Sequence, residues 1–115
     1  MYIAINQIFI KEEEAQFSIK PWHIKMQGCV LTEAIKAYGT MPLLLNAHFK
    51  ELYNKATLLK FNLPDFFTAE HLQQMISGVL NRNKLYQTAN VWVTLIRNIN
   101  DGHTEVIIKS ERSDD

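Results

Sequence analysis

The pattern of apolar and polar positions predicts short strands near the start of the chain. From Tyr2 to Ile10, apolar side chains surround the polar pair Asn6 and Gln7, which predicts two strands joined by a tight turn. The alternation from Gln16 to Ile19 predicts a third short strand. Pro21 interrupts that pattern, so we expect a loop from Pro21 to Gly28.

Two segments in the middle of the chain repeat their apolar residues at the three- and four-residue spacing of amphipathic helices. Asn46 can cap the first helix, which Asn62 and Pro64 end, and Thr68 can cap the second. The residues predicted to form the buried faces are Phe49, Leu52, Tyr53, Ala56 and Leu59 in the first helix and Leu72, Met75, Ile76, Val79 and Leu80 in the second.

The segments before and after the two predicted helices are expected to form the remaining strands of the sheet. Val30 to Tyr38 is ambiguous, because several of its residues are better helix formers than strand formers. Val91 to Ile96 and Glu105 to Lys109 flank the sequence Asn100-Asp101-Gly102, which is a strong hairpin signal. These segments predict an α+β domain in which two helices pack on one face of an antiparallel sheet.

Composition limits the classes of partner and compartment. The 115 residues are 47% hydrophobic, which fits one domain with a single core. Twelve basic and twelve acidic residues cancel, and the basic residues are scattered along the chain, so we expect neither nucleic acid nor a membrane as partner. No apolar run approaches the roughly 20 residues of a membrane span. Cys29 is the one cysteine, which excludes an internal disulfide and indicates a reducing, cytoplasmic location.

The run from Leu31 to Phe61 resembles the small N-terminal domain of class IV aminotransferases, a family that includes D-amino acid and branched-chain aminotransferases and aminodeoxychorismate lyases. That family commonly shows a strand similar to F-E-x-[IV]-[RK]-x-Y, a turn, a short apolar strand and a helix beginning E-H-x-x-R-L. The matching residues here are Glu33, Ile35, Lys36 and Tyr38 in the first strand, Gly39 in the turn, Leu43 to Leu45 in the second strand, and His48 and Leu52 in the helix.

The resemblance implies the fold of the small domain of class IV (fold type IV) pyridoxal-phosphate enzymes. It favours a strand over a helix from Val30 to Tyr38. The small domain is expected to occupy residues 1–110, followed by a polar tail at residues 111–115. The large domain, which carries the cofactor lysine in the family, is absent from these residues.

The residues expected at the cofactor site depart from the family pattern. The family's arginine in E-H-x-x-R-L binds the cofactor phosphate, and Glu51 stands at that position. Lys50 and Lys55 are weak substitutes, because on a helix Lys50 points about 100° away from Glu51 and Lys55 lies one turn further along. His48 could line a cofactor pocket, although a histidine in a first helical turn more often caps or packs.

Two further departures from the family pattern lie elsewhere in the chain. Trp92 stands where branched-chain aminotransferases carry an arginine, and the loop from Pro21 to Gly28 lacks the pattern D-R-G-x-x-x-G-D-G, which shapes the substrate side of the family's pocket. Glu33 and Lys36 lie three positions apart on a strand, so they face opposite ways and cannot form one acid-base pair. Cys29 is expected to be a small core or loop residue rather than a nucleophile, and the four histidines lack the spacing of a metal site.

The resemblance therefore implies half of a pyridoxal-phosphate enzyme, of the amino acid transaminase or aminodeoxychorismate lyase type, that is inactive by itself. No catalytic residue is predicted, and we expect this chain alone to bind no pyridoxal phosphate. A second copy or a missing large domain is the expected partner, and an amino acid or keto acid is a substrate only of the completed enzyme. The alternative is a noncatalytic dimerisation or interaction module derived from that fold, which the departures at Glu51, at Trp92 and in the loop from Pro21 to Gly28 favour.

Overall fold

The computed structural model describes residues 1–14, 30–97 and 102–113, and within these ranges six antiparallel strands form one sheet. The strands are β1 (Tyr2–Ile5), β2 (Ile8–Lys11), β3 (Val30–Tyr38), β4 (Met41–Pro42), β5 (Ala89–Arg97) and β6 (Thr104–Arg112), and the helices are α1 (Leu45–Leu58) and α2 (Ala69–Arg82). The strand order is β2-β1-β6-β5-β3-β4. The predicted strand at 16–19 and loop at 21–28 lie outside the described residues.

The first hairpin is confirmed, and a single asparagine explains both its turn and its place in the sheet. Asn6 adopts a left-handed backbone (φ 57°), a conformation that asparagine tolerates better than most residues. Its backbone N–H donates to the Val106 carbonyl at 2.7 Å, and its side-chain oxygen accepts from the Val106 N–H at 2.9 Å. The turn is therefore fastened to β6.

The strand predicted from Val30 to Tyr38 is confirmed as β3, which pairs with β5 from Val30 opposite Ile96 to Ala37 opposite Ala89. The prediction that Leu43 to Leu45 form the next strand is wrong, because β4 ends at Pro42 and α1 begins at Leu45. The chain changes direction at Leu44, which has a left-handed backbone (φ 56°).

The start of α1 also differs from the prediction. Leu44, rather than Asn46, occupies the N-cap position and makes no side-chain capping hydrogen bond. The predicted apolar face is correct for Leu52 and Ala56, which are buried, and wrong for Tyr53 and Leu59, which are exposed. The helix therefore contacts the sheet along a narrower stripe than its sequence suggests.

The second helix agrees with the prediction throughout. Thr68 is its N-cap, and the Thr68 hydroxyl accepts a hydrogen bond from the His71 N–H at 3.1 Å. Its buried residues are the five predicted ones, Leu72, Met75, Ile76, Val79 and Leu80.

Both helices pack on one face of the sheet, so the predicted α+β architecture is confirmed. The main core lies between them and the inward residues of the central strands, such as Val91, Val93 and Ile108. A smaller apolar cluster of Ile3, Ile5, Ile96 and Ile107 forms on the opposite face. Strand β6 continues to Arg112, beyond the predicted end at Lys109. Neither α1 nor α2 is long and apolar enough to cross a membrane.

Candidate functional site

The sheet face opposite the helices carries polar and aromatic side chains in register across three strands. Because side chains alternate along a strand, the residues that pair across β3, β5 and β6 project from the same face. Thr32 is paired with Thr94, and their hydroxyl oxygens lie 3.2 Å apart. The neighbouring rows are Ala34, Trp92 and Lys109, and then Lys36, Asn90 and Glu111.

A groove of about 440 Å³ lies along this open face, and we call it the open-face groove. The residues that give it its chemistry are Glu12, Thr32, Trp92, Thr94, Lys109 and Glu111. The Lys109 ammonium lies 3.4 Å from a Glu12 carboxylate oxygen, so the positive charge in the groove already has a counter-ion. The described residues that line the groove offer an aromatic side chain, two hydroxyls and charges of both signs, but no unopposed cation for a phosphate.

A histidine–carboxylate contact connects α1 to the sheet. His48 lies in the first turn of α1, and its Nδ1 is 2.7 Å from a carboxylate oxygen of Glu33 on β3. The two side chains are 28% and 15% exposed, so water screens this contact only partly. This geometry gives His48 a role in holding α1 against β3, and a role in a cofactor pocket stays a prediction.

Glu51, which we predict to stand at the position of the family's phosphate-binding arginine, lies on the outer surface of α1. Glu51 is 61% exposed there, and its carboxylate lies 3.6 Å from the Lys55 ammonium one turn later. Lys50 is also exposed. A phosphate at this position would meet the Glu51 carboxylate, and the nearby Lys55 ammonium is already paired with that carboxylate. These residues therefore do not fit the phosphate of the cofactor.

The remaining candidates are separated in space. Glu33 and Lys36 face opposite sides of β3 as predicted, and the Lys36 ammonium donates to the Ser113 hydroxyl at 3.3 Å. His71 packs edge-on against Phe66 with ring centres 5.3 Å apart. No group of three potential metal ligands occurs within residues 1–14, 30–97 and 102–113. Cys29 and the predicted loop at 21–28 lie outside these ranges.

One feature that the sequence analysis missed is a cluster of basic residues at the C-terminal end of α2. Lys11, Arg82, Lys84 and Arg112 line two adjoining clefts, so the expectation that basic residues are scattered is wrong at this end of the molecule. They come from β2, the end of α2, the following turn and β6. Only Arg82 and Lys84 are close in sequence, and two nearby cations at a helix end are an ordinary pattern.

Comparison with solved structures gives a consistent set of relatives. The T.th. branched-chain amino acid aminotransferase, solved with pyridoxamine 5′-phosphate, is 25% identical with a TM-score of 0.81 over 99% of this chain. The branched-chain amino acid aminotransferase of Thermobaculum terrenum is 20% identical, with a TM-score of 0.79 over 99% of this chain. A putative 4-amino-4-deoxychorismate lyase from Legionella pneumophila is 17% identical with a TM-score of 0.66 over 78%. The similarity to the last two shows the fold alone.

The similarity is confined to part of each relative. This chain covers 40% of the T.th. aminotransferase, 39% of the Thermobaculum enzyme and 36% of the Legionella protein. No protein-family model matches the sequence. No curated protein matches it either.

Proposed function

This chain has the fold of the small domain of class IV aminotransferases, and from that premise we propose that it forms one wall of a pyridoxal-phosphate site that a larger domain must complete. The observation that carries the proposal is the agreement of nearly the whole chain with about 40% of a branched-chain aminotransferase, at a TM-score of 0.81. Under this proposal the chain supplies shape and surface, while the cofactor lysine and the reaction belong to the larger domain.

The open-face groove is the part of the chain that we assign to this wall. Trp92 and the pair of hydroxyls on Thr32 and Thr94 can bind or orient the apolar and polar parts of an amino acid or keto acid. The Lys109–Glu12 pair provides both signs of charge at one side. We expect transaminase or lyase chemistry of the completed enzyme and no reaction from this chain alone, in a reducing, cytoplasmic compartment.

The experiment that tests this proposal identifies where the cofactor is attached. The chain is purified under native conditions from its own cells, treated with borohydride to fix bound pyridoxal phosphate, and mapped by mass spectrometry. We expect a pyridoxyl group on a lysine of a second domain or polypeptide that remains associated with residues 1–115. A pyridoxyl lysine within these residues, or none in the assembly, would count against the proposal.

The second candidate function is a noncatalytic interaction module, and Glu51 is the residue that favours it. An exposed carboxylate paired with Lys55 stands at the position of the family's phosphate-binding arginine. A module that has lost the cofactor would be under no constraint to keep the arginine. Trp92 on the open face is consistent with the same loss.

Glu51→Arg is expected to separate the two candidates. If the cofactor site has decayed, the substitution strengthens pyridoxal-phosphate binding by about thirtyfold, because a two-pronged donor replaces a repulsive carboxylate. The affinities of both proteins are measured by titration with pyridoxal phosphate, and Glu70→Arg on α2 serves as the charge-matched control. In the full-length protein with its larger domain, strong and equal binding by the unsubstituted and Glu51→Arg forms would show that a working site uses other donors.

Self-association is expected in either case, because apolar side chains cluster at one edge of the sheet. Tyr38, Met41, Leu43 and Leu44, which we call the edge patch, are 48% to 77% exposed. Exposed apolar patches of this kind commonly mark interfaces. Light scattering is expected to show a dimer at micromolar concentration, and Leu44→Asn to shift its dissociation midpoint upward by about tenfold, or ~1.4 kcal/mol.

The control for the edge patch is Leu58→Asn, which removes an equally exposed leucine from the other end of α1. The dimer of this variant should dissociate at the concentration of the unsubstituted protein. A monomer at every concentration, or equal shifts from both substitutions, would contradict an interface at the edge patch.

A further inference from the structure

Part of the outer edge of β3 has no neighbouring strand. β4 pairs only with Ala37 and Tyr38, the last two residues of β3, and the Leu43 N–H donates to the Lys36 carbonyl just before them. Within the described part of the chain, the stretch from Val30 to Ile35 therefore has β5 on one side and no strand on the other. We call this stretch the unpaired edge.

The hydrogen bond to Lys36 shows which backbone groups point out of the unpaired edge. In antiparallel pairing, the N–H and C=O of one residue point to the same side of the strand, and successive residues point to opposite sides. Because the Lys36 carbonyl points towards β4, the backbone groups of Val30, Thr32 and Ala34 point outward as well. The backbone groups of the residues between them point towards β5.

The unpaired edge carries few of the features that keep sheet edges from pairing. Proteins commonly protect such an edge with a proline, a β-bulge or a charged side chain. The stretch contains no proline, and its register with β5 runs without a bulge. Its one charged residue is Glu33, whose carboxylate lies 2.7 Å from Nδ1 of His48. The residues exposed along it are Val30, Thr32 and Ala34.

The unpaired edge is complementary to a second copy of itself. With two copies antiparallel about a twofold axis at Thr32, the two Thr32 residues lie opposite each other, and Val30 lies opposite Ala34 of the second copy. Each of the three outward residues in each copy then donates one N–H, which gives six hydrogen bonds. The hydroxyls of Thr32 and Thr94, 3.2 Å apart within one copy, continue across the axis as a row of threonines.

Charge and bonding favour this register over the neighbouring ones. A twofold axis at Glu33 would set two carboxylates directly opposite each other, and like charges in that position are destabilising. With the axis at Thr32, Glu33 lies opposite Leu31 of the second copy. An axis at Ala34 would require Lys36, whose carbonyl already accepts a hydrogen bond.

We propose that a second copy of this chain binds along the unpaired edge, so that two sheets of six strands join through β3 into one continuous sheet. The proposal rests on the self-association expected under the proposed function, and it specifies which backbone groups meet. The ladder alone is smaller than a standard interface of about 1,600 Å². The edge patch adds apolar surface along the same edge, because Tyr38 ends β3.

Amide hydrogen exchange of the full chain tests the ladder. The rates are measured by NMR at two protein concentrations, one at which light scattering shows a monomer and one at which it shows a dimer. We expect the amides of Thr32 and Ala34 to exchange at least about tenfold more slowly in the dimer, because they gain hydrogen-bond acceptors. The amides of Leu31 and Glu33 point towards β5 and should exchange at the same rate in both states.

Disulfide cross-linking tests the register, in a Cys29→Ser background that leaves one introduced thiol per chain. Thr32→Cys places the thiol at the axis, where opposite Cα atoms lie about 5.5 Å apart, so mild oxidation should link two chains. Ala34→Cys is the matched control, since it is exposed on the same strand and face but lies about 13 Å along the strand from its counterpart. It should cross-link at least about tenfold more slowly.

A mixture of two variants gives a second measure of the register. Val30→Cys and Ala34→Cys lie opposite each other in the proposed dimer, so chains of the two kinds should cross-link as readily as Thr32→Cys does with itself. Absence of this mixed disulfide would contradict the axis at Thr32.

The proposal is overturned if Thr32→Cys and Ala34→Cys cross-link equally, or if the chain is a monomer at every concentration. A dimer that Leu44→Asn weakens, but in which the Thr32 amide exchanges as fast as in the monomer, would overturn the ladder and leave the edge patch as the interface. None of these results depends on where pyridoxal phosphate is attached in an assembly with a larger domain.

Discussion

Replacing Leu52 with alanine is expected to lower the free energy of unfolding by about 3 kcal/mol, because it leaves a cavity in the core. Leu52 is 1% exposed and belongs to the cluster that α1 and α2 form against the sheet. In a domain of this size such a loss corresponds to a fall in Tm of roughly 15 °C. Urea denaturation and differential scanning calorimetry measure the two quantities.

Leu58→Ala is the matched control for Leu52→Ala. It makes the same chemical change six positions later in α1, at a leucine that is 80% exposed. The free energy of unfolding should change by less than about 0.5 kcal/mol. Equal losses of unfolding free energy in the two variants would show that α1 does not pack against the sheet with the face that carries Leu52.

Asn83→Ala is expected to have a similarly large effect, of about 3 kcal/mol, although it removes no apolar contact. Three hydrogen bonds disappear, and the backbone N–H and C=O of Tyr2 lose their partners in a partly buried place. Chemical denaturation gives the free energy of unfolding, and hydrogen exchange at the Tyr2 amide reports whether the start of β1 has come loose.

Asn81→Ala provides the comparison for Asn83→Ala. Asn81 is exposed, and its amide donates to the Ser77 carbonyl one turn earlier in α2. Because alanine is the better helix former, the substitution should change stability by no more than about 0.5 kcal/mol in either direction. A loss at Asn81 as large as that at Asn83 would mean that the helix end, rather than its attachment to β1 and β6, determines the effect.

Periodicity was sufficient to predict the parts of the fold whose burial is regular. The five buried positions of α2 follow its helical spacing, and Thr68 caps it with the side chain that its sequence offers. The polar pair at Asn6 and Gln7 located the first hairpin for a similar reason, since asparagine accepts the left-handed turn. In these segments local preference and tertiary packing favour the same structure.

The prediction failed where tertiary packing overrides local preference. Residues Leu43 to Leu45 are apolar and follow a turn, which suggests a strand, but Leu44 adopts a left-handed backbone that starts α1 at Leu45. Leucine has no intrinsic reason to adopt that conformation, and periodicity carries no sign of it. The exposure of Tyr53 and Leu59 is a second such case, because the buried width of α1 depends on neighbours far away in sequence.

The candidate sites were harder to predict than the fold, since they depend on which distant residues meet. The contact between Glu33 and His48 joins β3 to α1, and Lys11 and Arg112 line adjoining clefts because β2 and β6 lie on either side of β1. Composition gave the number of cations but not their positions. The sheet order and the packing of α2 on the sheet bring them together.

The strand order also has a consequence for how the chain folds. Strand β1, which is synthesised before the other five strands, lies between β2 and β6, so its inner partner is the last of the six strands to be made. Ala4 and Ile5 therefore remain without that partner until Thr104–Arg112 has left the ribosome. Pairing over so long a separation closes a large loop at a high entropic cost. We infer that the first hairpin docks late, after the helices have packed on β3 and β5.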